Sequence, residues 1–68
     1  MTKTNFRKAL AIADLGKAYT YTELSRNGNP NEYLFRRDHD GYTLRNETTG
    51  YTVFMGENRK FAEEIMVH

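Results

Sequence analysis

Residues 33–55, YLFRRDHDGYTLRNETTGYTVFM, decide the fold of this chain. Three runs within this stretch, 33–37, 42–46 and 51–55, carry aromatic residues with a period of two. A period of two is typical of strands that bury one face and expose the other. The stretch therefore predicts three β-strands in succession.

Two four-residue links, 38–41 and 47–50, connect the three runs, and both end in glycine. Glycine takes the positive φ that other residues resist and that hairpin loops often need. The links therefore indicate two antiparallel hairpins, which together make a three-stranded antiparallel β-meander.

Regular hairpins fix the register of the strands and assign every side chain to a face. Arg37 then lies opposite Tyr42, and Asn46 lies opposite Tyr51. One face collects Tyr33, Phe35, Arg37, Tyr42, Leu44, Asn46, Tyr51, Val53 and Met55. The other face collects Leu34, Arg36, Thr43, Arg45, Thr52 and Phe54. A slip of one residue would mix the two sets, so the first, more aromatic set is predicted to face the core.

A competing interpretation makes residues 29–32, Asn-Pro-Asn-Glu, the start of a helix that runs through Tyr33 to His39. It would give helices followed by a two-stranded wing, an order similar to that of winged-helix proteins. Consecutive large side chains from Tyr33 to Phe35 would wrap around such a helix, and this favours the strand.

The residues before the meander predict helices. Asn5 can cap a first helix over residues Asn5 to Leu15, which has apolar side chains at helical spacing, and Gly16 follows where a left-handed C-terminal cap belongs. Thr20 and Glu23 have the spacing of a capping box, which predicts a short second helix that ends near Arg26.

The residues after the meander predict one more helix, which begins near Glu57 or Asn58. It places Phe61, Ala62, Ile65 and Met66 on one side. The predicted fold is α+β, in one domain over residues 1–68. An N-terminal helix and a short second helix precede the three-stranded antiparallel meander, and a C-terminal helix packs on one sheet face.

The amino-acid composition argues against several classes of function. The chain has no cysteine, and His39 and His68 are too far apart in sequence to make a good metal set, so no cofactor or metal is expected. No apolar run is long enough for a membrane span, and residues 1–4 lack the apolar stretch of a signal peptide. We therefore expect a cytoplasmic protein without a membrane partner. A net charge of +1 neither demands nor forbids a nucleic acid.

No set of residues has the pattern of a catalytic site. His39 lies between Asp38 and Asp40 in a predicted loop, where a solvated turn explains it. The Ser/His/Asp, Cys/His and phosphate-loop patterns are missing, and a core this small leaves little room for a ligand cleft. We expect no enzymatic activity and no small-molecule substrate.

The second face of the predicted sheet carries the candidate binding residues. Arg36 and Arg45 occupy adjacent rows on neighbouring strands, and Thr43 and Thr52 flank them. Guanidinium and hydroxyl groups suit the phosphates and base edges of double-stranded DNA, although the same residues also suit an ordinary solvated sheet face. Leu34 and Phe54 lie on this face too. They indicate either an apolar contact patch or a region that the first helix covers.

Gly41-Tyr42, Arg45-Asn46, Thr49-Gly50 and Gly56-Glu57-Asn58-Arg59, followed by a helix, give the stretch 31–66 a resemblance to a known family. It resembles the amino-terminal arm-site-binding domains of phage and transposon integrases, which lay a three-stranded sheet in the DNA major groove. The resemblance implies that Arg36, Thr43, Arg45 and Thr52 face DNA. It also implies that Arg59 and Lys60, at the helix start, lie near phosphates. The order of elements is also loosely similar to double-stranded-RNA-binding domains.

Three functions are therefore open. The first is a small DNA-binding accessory or regulatory protein of a phage or mobile element. The second is a protein-binding inhibitor or adaptor, such as a phage antagonist of a host enzyme or defence complex, with Leu34 and Phe54 as its contacts. The third is a homodimer that pairs through an edge strand.

Overall fold

A four-stranded antiparallel sheet and two helices make up the structure, a computed structural model that describes residues 1–68. The α+β class is confirmed, with four strands where the sequence predicted three. In chain order the elements are α1 (Lys3–Asp14), β1 (Tyr19–Leu24), β2 (Pro30–Asp38), β3 (Gly41–Asn46), β4 (Thr52–Gly56) and α2 (Arg59–Met66). The strands follow one another across the sheet in the order β1-β2-β3-β4.

The predicted meander forms β2, β3 and β4 with the predicted register. Arg37 pairs with Tyr42, and the Asn46 N–H donates to the Tyr51 carbonyl at 2.8 Å. Residues 33–38 are therefore strand, which excludes the winged-helix-like alternative. The one irregularity lies between Tyr42 and Thr43, which pair with Gly56 and Phe54, so that Met55 is an extra residue in β4.

The predicted short helix over Thr20 to Arg26 is wrong, because this segment is the edge strand β1. Tyr19, Tyr21 and Glu23 are half-buried, while Thr20, Thr22 and Leu24 are exposed. The Tyr21 ring stacks on Tyr33 of β2, with centroids 5.2 Å apart. Alternating tyrosine and threonine favours a strand, and this outweighs a capping-box spacing that has no apolar helix face behind it.

Helix α1 begins earlier than predicted, because Thr2 and not Asn5 caps it. The Thr2 Oγ1 accepts from the Asn5 N–H at 3.2 Å. At the other end Gly16 adopts φ +81°, as its sequence position predicts. The Gly16 and Lys17 N–H groups donate to the Ala13 and Ile12 carbonyls, which is the hydrogen-bond pattern of a Schellman motif.

Both helices pack on the same face of the sheet. The buried side chains form one cluster: Phe6, Ala9, Ala13, Phe35, Tyr42, Leu44, Met55, Ala62 and Met66. Its strand members all belong to the predicted core face, and alanines on both helices let the helix backbones approach the sheet. Asn58 caps α2 by accepting from the Phe61 N–H at 3.0 Å, and this directs Ala62 and Met66 into the cluster.

The predicted packing of the C-terminal helix on one sheet face is confirmed. Neither helix has the length and apolar composition needed to cross a membrane.

Candidate binding face

The side of the sheet that neither helix covers is called the open face below. Its side chains come from all four strands and from the turn after β3: Thr20, Thr22, Leu24, Glu32, Leu34, Arg36, Asp38, Thr43, Arg45, Glu47, Thr52 and Phe54. A solvated face of a sheet carries mostly polar side chains, and the largest exception here is the strongly exposed aromatic ring of Phe54.

Six of the predicted site residues come together on the open face. Cross-strand pairing places Leu34, Arg45 and Thr52 side by side in one row. The next row contains Arg36, Thr43 and Phe54. These six side chains, with Asp38 and Glu47, line one shallow depression of about 380 Å³.

Two apolar side chains stand at opposite corners of the two rows. Phe54 is 76% exposed on the edge strand β4, and Leu34 is half-buried one row away on β2, with Thr43 and Arg45 of β3 between them. An aromatic ring left this exposed on a rigid strand keeps a large apolar area in water, and a partner could remove that area from water on binding.

Each arginine of the open face has a carboxylate two residues along the chain. Arg36 lies 3.5 Å from Asp38, and Arg45 lies 3.6 Å from Glu47. Such long, exposed ion pairs contribute little to stability and can exchange partners readily.

The carboxylates outnumber the guanidinium groups on this face. Besides Asp38 and Glu47 there is Glu32, whose carbonyl accepts from the Glu47 N–H at 2.7 Å across neighbouring strands. A hydrogen bond from the Asp40 N–H, followed by the nearby Arg36, holds the pKa of Asp38 below its usual range. The open face therefore presents mixed charge and two separate apolar side chains, and not a basic patch.

Arg59 and Lys60 lie on the other side of the molecule. They begin α2 on the helix-covered side of the sheet, where the Arg59 guanidinium donates to Asp14 at 2.9 Å and to the Tyr42 hydroxyl at 3.2 Å. Arg59 and Lys60 lie there because Ala62 and Met66 of the same helix pack into the core. The structure does not bring these two residues to the open face.

Asp14 is the centre of a polar network that the sequence did not predict. Its carboxylate accepts from the Tyr42 hydroxyl at 2.6 Å, from Arg37 at 3.1 Å and from Arg59. The bond from Tyr42, with contributions from Arg37 and Arg59, holds the pKa of Asp14 below its usual range, although partial burial opposes this. Burial and the bond to Asp14 raise the pKa of the Tyr42 hydroxyl. The network ties the end of α1 to the sheet and to α2.

The position of Arg37 in the sequence could have indicated this network. The predicted register placed its side chain on the core face, where a charged group needs a partner. Its guanidinium lies 5.3 Å from the centre of the Tyr42 ring and also donates to Glu57 at 2.6 Å. The main partner of Arg37 is Asp14, which lies far from it in sequence, so the sequence pattern could not identify it.

The turn at 38–40 brings one histidine and two carboxylates together, with ligand atoms within 4.8 Å of one another. His39 and Asp40 are exposed, while Asp38 accepts from the Asp40 N–H at 2.9 Å and from Arg36. These bonds close the hairpin and account for the acidic residues as turn formers.

A second depression, of about 260 Å³, lies on the helix-covered side beyond the end of the core. Tyr21, Tyr33, Tyr51, Val53 and Ile65 are among its lining residues. Burial, followed by the neighbouring Glu23, raises the pKa of Tyr21, which keeps its hydroxyl protonated. This groove runs across the sheet from β1 to β4 and is an incompletely filled margin of the core.

Comparison of the chain with protein-family models, with curated proteins and with solved structures finds no match.

Proposed function

We propose that this protein is a small non-catalytic binding module that contacts another protein through its open face. The observation that carries the proposal is the placement of both helices on one side of the sheet. This placement leaves Leu34 on β2 and Phe54 on the edge strand β4 exposed to different degrees on the uncovered side.

The chemistry of the open face fits a protein partner. Protein interfaces combine an apolar, often aromatic centre with a polar rim, and a few anchors near the centre supply most of the binding energy. Phe54 and Leu34 provide two apolar anchors, and the Arg36–Asp38 and Arg45–Glu47 pairs provide polar groups beside them. Because both anchors sit on strands, little conformational entropy is lost on binding.

A site-specific photo-cross-linking experiment tests this proposal. A benzophenone amino acid replaces Phe54 in one version and Leu15 in another, since both side chains are 76% exposed and Leu15 lies at the end of α1. In extract from the source cells we expect, at position 54 and not at position 15, an adduct with a protein other than this chain. Equal adducts at both positions, or none at position 54, would contradict the proposal.

Duplex DNA is the second candidate partner, and one observation favours it. Arg36 and Arg45 lie on neighbouring strands in adjacent rows, with Thr43 and Thr52 beside them. Two guanidinium groups so placed can reach phosphates or guanine edges, and a β-ribbon fits the major groove. The carboxylates of the same face oppose a polyanion, and for this reason we rank DNA second.

A salt titration of DNA binding separates the two candidates. The Arg36→Ala/Arg45→Ala double variant is compared with Lys8→Ala/Lys17→Ala, which removes the same charge on and after α1. If the partner is a protein, we expect at most weak DNA binding at low salt, and the two double variants should bind DNA alike. Tight binding that falls steeply with salt, with a shallower slope only in the arginine variant, would favour DNA.

A further inference from the structure

The exposed aromatic side chains gather along one margin of the molecule. Tyr51, Phe54 and Phe61 are 71%, 76% and 38% exposed. Phe54 lies on β4, and Tyr51 directly precedes that strand. Phe61 lies one helical turn before Ile65, which lines the groove with Tyr51 and Val53, so it faces the same margin. The β4 edge is thus apolar on both the open face and the helix-covered side of the sheet.

The β4 edge also lacks the usual protection against strand pairing. Residues 51–56, YTVFMG, contain no charged residue and no proline, and the one bulge lies at the end of the strand. Edge strands commonly carry lysine, proline or a central bulge, because their free N–H and C=O groups invite another strand. Here β4 is the last strand of the sheet, so one side of its main chain is free.

The hydrogen-bond pattern identifies the free groups. Asn46 donates to Tyr51, so this pair is hydrogen-bonded, and the pairs alternate from there along the antiparallel ladder. The main-chain N–H and C=O groups of Thr52 and Phe54 therefore point away from β3. Because Thr52 and Phe54 are separated by one residue, the outward groups of one β4 strand are complementary to those of a second, antiparallel β4 strand.

We propose that β4 pairs in antiparallel orientation with β4 of a second copy of this chain, around a two-fold axis at Val53. Thr52 then lies opposite Phe54 of the second copy, and each such pair exchanges two hydrogen bonds. The four strands of each copy join into one continuous sheet. This is an isologous, closed contact, which yields a dimer and not a fibre.

The side chains match in this register. On the open face the Phe54 ring lies beside Thr52 of the other copy, and on the helix-covered side Val53 meets Val53. Aromatic and β-branched neighbours of this kind stabilise cross-strand pairs, and no like charges meet.

The other edge of the sheet fits a second copy less well. β1 carries Glu23 on its helix-covered side, and Leu24 is its only large exposed apolar residue. Its outward main-chain groups belong to Thr20, Thr22 and Leu24, since the Ser25 N–H donates to Asn29 and starts the alternation. β1 therefore supplies a matched control.

Disulfide trapping tests the β4 dimer. The chain has no cysteine, so Val53→Cys introduces a single thiol. In the proposed register the two Cα atoms at position 53 form a non-hydrogen-bonded pair about 4.5 Å apart, within the range of disulfides. We expect rapid cross-linking of Val53→Cys at low protein concentration and slow cross-linking of Thr22→Cys at the centre of β1. Equal rates, faster cross-linking at position 22 or none at position 53 would overturn the proposal.

Sedimentation velocity of the unmodified protein provides a test without any substitution. Only one five-residue strand of each copy makes the contact, whereas stable complexes typically bury roughly 1,600 Å², so we expect a reversible dimer whose fraction rises with concentration. A monomer at every concentration would overturn the proposal and leave the edge to an extended segment of another protein. Neither test needs the partner of the open face, and Val53 points away from that face, so the two proposals can fail separately.

Discussion

Asp14 ends α1, and its carboxylate accepts hydrogen bonds from Tyr42, Arg37 and Arg59. A carboxylate at a helix C-terminus opposes the helix dipole, so these donors outweigh an unfavourable position. The three donors come from β2, β3 and α2, which makes Asp14 the side chain through which the elements are joined at this end of the sheet.

We expect Asp14→Asn to lower the free energy of unfolding by about 1 kcal/mol, because the amide can still accept from Tyr42 but no longer attracts two guanidinium groups. Tyr42→Phe is the matched variant, since it keeps the buried ring and removes only the hydroxyl. Urea denaturation measures both. Unchanged stability in both variants would show that the network contributes nothing.

The lowered pKa of Asp14 also predicts that the free energy of unfolding depends on pH. Its pKa is lower in the folded protein than the ordinary value of 3.8 for the unfolded chain. Between the two values the unfolded chain binds more protons, so stability rises with pH in this window. The contribution of Asp14 is complete above pH 3.8 and is lost as the pH falls through the folded pKa.

The unfolding free energies of the wild type and Asp14→Asn should therefore converge in acid. Urea titrations from about pH 2 to about pH 6 measure the difference between them. A difference that stays constant to the lowest pH would contradict the assignment. Asp38, whose pKa is also lowered, is present in both proteins and cancels in the comparison.

Gly41 is the residue with the tightest backbone environment. It adopts φ +114°, and a Cβ at this position would collide with the main chain of Gly56. We expect Gly41→Ala to lower the free energy of unfolding by about 3 kcal/mol or to prevent folding. Gly28→Ala is the control, because Gly28 has φ +80° and open space around it, so the cost should be about 1 kcal/mol. Thermal unfolding compares them, and equal losses would argue against the close approach.

At the scale of elements, β1 shows why one strand was missed. Its threonines and glutamate satisfy the spacing of a helix cap, and the same residues fit the exposed side of an edge strand equally well. The alternation at Tyr19 and Tyr21 was present in the sequence. What sequence could not show was that Tyr33 offers a ring on which Tyr21 stacks.

Amide hydrogen exchange distinguishes the strand from the predicted helix. In β1 the N–H groups of Tyr21 and Glu23 point to β2, and those of Thr20, Thr22 and Leu24 point to solvent. We expect slow and fast exchange to alternate along the segment, as NMR would measure it. Continuous protection from Thr22 to Arg26 would indicate a helix instead.

The meander was predictable because two independent signals agreed. Loop lengths with a glycine at the end fixed the register, and the aromatic period of two gave the same faces. Residues such as Arg36 and Phe54 could therefore be placed together before the structure was known. Arg59 could not, because its side of the sheet depends on how α2 packs, and Asp14 could not, because Arg59 is 45 residues away from it.

At the scale of the whole molecule, the chain builds one covered and one uncovered sheet face. A domain of this size has little apolar surface to spare, since a chain of about 60 residues buries only about 60% of its unfolded surface. Leaving Phe54 and Leu34 outside the core is therefore a cost to folding, and a binding role on the open face explains it. The exposed apolar residues at the β4 edge, Tyr51 among them, are explained in the same way by contact with a second copy.

The most direct test of the open face is the affinity of variants for the protein that cross-links at position 54. Isothermal titration calorimetry should give Phe54→Asp a dissociation constant at least about 30-fold above that of the wild type, as the loss of an anchor worth about 2 kcal/mol or more requires. Leu15→Asp, equally exposed at the end of α1, should bind like the wild type. Unchanged binding by Phe54→Asp, or an equal loss in both variants, would contradict the assignment of the open face as the contact surface.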